Sequence, residues 1–168
     1  YSDISSYETA MTYHTQSLEL SKKTENDERL ASCYINIGSV YFELGKTDKA
    51  LECYNNSLEV LERTNNQTQL CACLINIGEC YENQNNLDIA LQNYTKALGI
   101  SIKTSNKVYE SNCLTSMGKV FQKTGKIEEA IGYHEESIKI AESLGDKLTK
   151  LDGLTNLAVL YFDEGDIK

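Results

Sequence analysis

The chain has 168 residues, 40% of them hydrophobic, with a formal net charge of −9 and no proline. The acidic balance argues against a nucleic-acid partner, since that binding is driven by Lys and Arg neutralising phosphates. No run approaches the roughly 20 apolar residues of a membrane span, and the lack of proline, which costs about 3 kcal/mol inside a helix, suits long uninterrupted helices.

Apolar residues recur at helical spacing from end to end. A remnant of a first helix is expected over residues 1–4, followed by full helices near 6–22, 27–43, 47–63, 67–83, 87–103, 107–123 and 127–143 and a last one over 147–163. The first full helix carries Ala10-x3-His14. The next carries Tyr34-x2-Ile37-Gly38-x2-Tyr41, and the one after it Ala50-x3-Tyr54. Between those two, Gly45-Lys46 predicts a turn, as do Asn85-Asn86, Gly125-Lys126 and Gly165-Asp166 further on; Gly or Asn there supplies the left-handed residue that ends a helix. Asn26, Asn66, Asn106 and Asp146 stand where a side-chain oxygen can cap the following helix.

These landmarks return every 40 residues. Gly38, Gly78, Gly118 and Ala158 share one column, as do Ala50, Ala90 and Ala130. A fixed period of this length means a stacked array of helix pairs, because one pair cannot bury its apolar face alone. The array is expected to run over 1–168 as a half-unit 1–30, units 31–70, 71–110 and 111–150, and a half-unit 151–168. Both ends interrupt a unit at equivalent places, which suggests a piece of a longer protein. The apolar helix faces left open there would let copies stack end to end.

Cys33, Cys73 and Cys113 also share a column. Neighbouring helices lie about 8–10 Å apart, beyond the roughly 7 Å reach of a disulfide, so the thiols are expected to be reduced and packed as small apolar groups. That usage points to a reducing, cytoplasmic compartment. His14 and His134 fall in the column of Tyr54 and Tyr94 and read as packing residues. Neither has a nucleophile at a useful spacing, no phosphate-cradling glycine loop exists, and nothing implies a metal or another cofactor. The residues do not suggest an enzyme.

Bulky-x2-Leu/Ile-Gly/Ala-x2-Tyr followed by Ala-x3-aromatic resembles the tetratricopeptide repeat, with Tyr34, Leu74, Leu114 and Leu154 in place of its tryptophan. The longer, proline-free unit is similar to the sub-class of kinesin light chains, spindle-orientation adaptors and bacterial peptide sensors. The resemblance implies an all-α, right-handed solenoid of antiparallel helix pairs whose inner surface, lined by the first helix of each unit, holds a partner segment. On that reading the groove carries Ser32, Asn36, Ser39 and Glu43, then Asn76, Glu79 and Asn83. Asn112, Ser116, Lys119 and Lys123 follow, then Asp152, Asn156, Val159 and Asp163. Asn36, Asn76 and Asn156, with Ser116 between, precede the Ile/Leu-Gly/Ala pair in each unit. A side-chain amide offers both donor and acceptor, so the ladder suits a peptide backbone. Asparagines that bond neighbouring helices or face water are the alternative. Acidic residues outweigh Lys119 and Lys123, so the expected partner is a protein or peptide segment that is partly basic. The function so implied is a binding scaffold, or else a sensory module that binds a small peptide or metabolite and regulates a fused effector.

Overall fold

A computed structural model describes the backbone of residues 2–166 and the side chains of residues 6–162. Among the described residues there are eight helices: α1 (Ser2–Lys23), α2 (Asp27–Glu43), α3 (Thr47–Thr64), α4 (Gln67–Asn83), α5 (Leu87–Lys103), α6 (Lys107–Lys123), α7 (Ile127–Leu144) and α8 (Lys147–Asp166). They gather into two compact units, Tyr1–Asn86 with α1–α4 and Leu87–Lys168 with α5–α8. The fold class is the expected one, all-α with paired helices repeated along the chain. Within each unit successive helices pack on one another, and alternate helices touch as well, α2 with α4 and α6 with α8.

The turns follow from a few residues. Glu25, Gly45, Asn65, Asn85, Ser105, Gly125 and Gly145 each take a positive φ, between 50° and 75°. The next amide N–H then reaches back to the carbonyl five residues earlier, as from Asn26 to Ser21, Lys46 to Tyr41, Asn86 to Tyr81 and Asp146 to Ala141. This satisfies carbonyls that the helix end leaves open. The expected caps are in place. The Asn26, Asn66 and Asn106 side chains accept from the N–H of Arg29, Gln69 and Tyr109 at 3.0, 3.1 and 3.2 Å. Asp146 accepts from Leu148 and Thr149 and from the Thr149 hydroxyl. Those bonds to Thr149 hold its carboxyl below the usual range.

Two boundaries differ from expectation. The separate remnant over 1–4 does not exist: α1 is continuous from Ser2, and Tyr1 lies outside the described residues. The column of Gly45 and Gly125 holds Ser5 there, which has no preference for the left-handed conformation that would break a helix. The turn expected at Gly165-Asp166 is not formed either, since α8 runs through to Asp166. A glycine permits such a turn but costs a continuing helix only about 1 kcal/mol.

In the first unit Ala31, Ala50, Tyr54, Val60, Leu61, Cys73, Ile77 and Cys80 form a buried cluster. The glycine column shows its purpose here. A methyl group on Gly38 would come within 2.6 Å of Cε1 of Tyr54, and one on Gly118 within 2.6 Å of Cε1 of His134. Each glycine thus seats a ring from the next helix. Ala158, in the same column, is exposed. The cysteine column is buried at Cys33, Cys73 and Cys113 and continues as Gly153, where a methyl would meet Cγ1 of Ile138 at 2.6 Å. The column is therefore a demand for small side chains. All six cysteines are thiols, and only Cys53 is as little as half-buried. Burial pushes the Cys73 and Cys80 thiols up to about 12.

Candidate functional site

The first helices of the repeat, α2 and α4 in one unit and α6 and α8 in the other, place the residues expected to bind. In the first unit a cleft of about 470 Å³ opens between α1, α2 and α4. Its lining includes His14, Arg29, Ser32, Asn36 and Gln69. Ser32 joins two helices: its hydroxyl donates to the Glu28 carbonyl at 3.0 Å and accepts from Gln69 Nε2 at 2.7 Å. Because that hydroxyl proton is committed, the Gln69 amide must turn its nitrogen to Ser32. Gln69 Oε1 is left buried without a hydrogen-bond partner, an arrangement that favours an incoming donor.

Asn36 is exposed beside this cleft, and Asn76 is half-buried on α4. Ser39 is already engaged, with its oxygen 3.1 Å from the Ile35 carbonyl and 3.2 Å from the Tyr54 hydroxyl. Burial is the main reason the Tyr54 phenol is pushed up to about 12, opposed by that bond to Ser39. Asn83, exposed at the end of α4, accepts from the Thr47 hydroxyl at 3.2 Å, so it ties two helices. Glu43 and Glu79 are exposed.

In the second unit Asn112 and Ser116 are half-buried on α6, and Lys119 and Lys123 are exposed. On α8 Asp152 and Val159 are exposed while Asn156 is half-buried, with Nδ2 enclosed and lacking a hydrogen-bond partner. The Asp163 side chain lies outside the described residues. Gln69, Arg29 and His14 were absent from the expected set. Their signal is spatial, since they reach the cleft from helix starts or from the preceding helix.

His134 is fully buried, and neither ring nitrogen has a hydrogen-bond partner. Burial first, and the Lys119 charge second, lower its pKa to about 4. It packs as a neutral ring in the column of Tyr54, as expected. Nearby, Ser111, Thr115 and Ser137 bond one another at 2.7–2.9 Å between α6 and α7, which satisfies polar groups inside the unit. Among the described residues no three His, Cys, Asp or Glu side chains gather as metal ligands, and no helix is long and apolar enough to cross a membrane. The arrangement can donate and accept hydrogen bonds along a surface.

No curated protein matches the sequence. Among solved structures the chain is similar to aspartyl phosphate phosphatase F from Bacillus subtilis, at 19% identity and a TM-score of 0.88, covering 98% of this chain and 44% of that one. It is also similar to BtubC (BKLC) from P. vanneervenii, at 20% identity and a TM-score of 0.81, covering 96% and 68%. A third is the Rap conjugation gene regulator of plasmid pLS20 in complex with the Phr* peptide, at 19% identity and a TM-score of 0.74, covering 86% and 40%. At these identities the likeness shows the fold alone. The sequence profile of the tetratricopeptide repeat matches residues 1–63, 33–103 and 69–143. The chain belongs to the tetratricopeptide repeat family.

Proposed function

We propose that the chain is a peptide-binding scaffold module that holds a partner segment on the first-helix faces of its repeats. The observation that carries this reading is the cleft at Ser32, Asn36 and Gln69, where an exposed amide stands beside an enclosed acceptor with no hydrogen-bond partner. Asn76, Ser116 and Asn156 extend the same sequence position to the other first helices. Glu43, Glu79 and Asp152 favour a segment that is partly basic. The similar pLS20 regulator was solved with a peptide bound, which supports a peptide as the ligand class.

The test is selection from a randomised peptide library, then calorimetry of the enriched peptide against Asn36→Ala/Asn76→Ala/Asn156→Ala. The reading expects at least a tenfold loss of affinity with helicity unchanged, since each neutral hydrogen bond lost from the three amides is worth about 0.5–1.5 kcal/mol. Unchanged affinity sinks the ladder. The same similarity, to a gene regulator, favours a second reading as a sensory module. A sensor changes its radius of gyration when saturated with that peptide, and a rigid scaffold does not.

A further inference from the structure

Another opening in the first unit shares no lining residue with the cleft at Ser32. It lies inside the array, between α1, α2 and α3, in two adjoining parts of about 360 and 480 Å³ that share Met11, Tyr41 and Lys49. Leu18 of α1 and Cys53 of α3 line the smaller part. Eighty residues further on, Tyr41 becomes Phe121 and Cys53 becomes Tyr133. There Tyr133 of α7 stacks on Phe121 of α6, with centroids 5.0 Å apart and planes 7° from parallel. Helix α3 has no ring to do the same for α2. Its one aromatic residue, Tyr54, lies over Gly38, and Cys53 offers a thiol where α7 offers a phenol. Tyr41 is half-buried beside the opening, with the exposed Lys49 ammonium 5.6 Å from its ring centroid.

We propose that this opening is a docking site for an aromatic side chain of a partner protein, which stacks on Tyr41 as Tyr133 stacks on Phe121. The first unit takes from outside the ring that the second unit carries itself. Space suffices, since a cavity of about 150 Å³ already admits benzene. The half-buried Met11 and Leu18 supply an apolar wall, and the Met11 thioether is a favourable neighbour for a ring edge. Stacking adds to what the buried area alone contributes. Lys49 and Glu52 both line the opening, so the ring, and not a net charge, selects the occupant. A side chain is favoured over a free small molecule because Tyr133, which fills the equivalent place, is itself a ring tethered to a backbone outside it. The site stands apart from the first-helix faces, so the proposal holds whether or not those faces bind a peptide.

The test titrates N-acetyl-tyrosine amide into the full chain by saturation-transfer NMR, with p-cresol and 4-methylcyclohexanol for comparison. Both aromatic probes should bind with a millimolar Kd, as ligands of this size do. 4-Methylcyclohexanol, which has no π face, should bind at least twofold more weakly. Each bound aromatic should also slow alkylation of Cys53, a readout that needs no variant. Cys53→Tyr should fill the site and abolish binding with native circular dichroism. Adding Tyr133→Cys to Cys53→Tyr should restore binding, now on Phe121. The proposal is overturned by a wild-type chain that binds neither aromatic probe, by binding that leaves Cys53 unprotected or survives Cys53→Tyr, or by equal affinity for 4-methylcyclohexanol. A folded double variant that does not regain binding overturns it too. So does binding of p-cresol without N-acetyl-tyrosine amide, which would mean a site for free small molecules.

Discussion

His134 carries the clearest pH dependence at the scale of single residues. Its pKa is lowered from 6.5 to about 4 by burial and then by Lys119, so between those values the unfolded chain binds a proton that the folded chain does not. The stabilisation is present above pH 6.5 and is lost as pH falls towards 4, by about 3 kcal/mol. Urea denaturation at pH 7 and pH 4.5 should show that loss, and His134→Phe should reduce it while removing two enclosed, unbonded nitrogens. The glycines divide into two kinds. Gly38→Ala and Gly118→Ala press a methyl into a ring and should cost about 1–3 kcal/mol. Gly99→Ala and Gly132→Ala meet nothing within 4 Å and should stabilise by about 0.5–1 kcal/mol, as thermal melts will show. The period exposes the glycine column in the sequence, but not that an aromatic ring fills it. That takes the crossing of two helices, which no local pattern contains.

At the scale of elements, the caps were legible because their mechanism is local. Asn66 needs only the N–H of Gln69, three residues on, so Asn66→Ala should cost about 1 kcal/mol in chemical denaturation. Lys46 and Lys126 occupy cap positions without a side-chain bond. Lys46→Asp should therefore gain about 1 kcal/mol, from a new acceptor and a charge suited to the helix start. The ends of α1 and α8 were less legible. A break there depends on whether Ser5 or Gly165 leaves the helical conformation, and glycine permits that without requiring it. The exposure of Ala158 was hidden for a related reason. Its repeat pattern matches that of buried Gly118, and only a packed neighbour distinguishes the two.

At the scale of the whole molecule, the family and the repetition of helix pairs follow from one period, because every unit restates it. The candidate site was legible as a set of positions on first helices, and it divided on inspection of contacts. Asn36 stands open beside a cleft, whereas Ser39 and Asn83 are committed to Tyr54 and Thr47. Sequence spacing assigns a face; it cannot say which polar groups on that face already have partners. The cysteine column has a further use as a clock. Cys33 and Cys73 are enclosed in the first unit and Cys113 in the second, so an alkylating reagent can reach each only when its surroundings open. Cys53 is half-buried and should react first. Timed alkylation read by mass spectrometry should give different rates for Cys73 and Cys113 if the units open separately, and one shared rate if they open together. The small side chains that let the helices approach would then record the order in which they part.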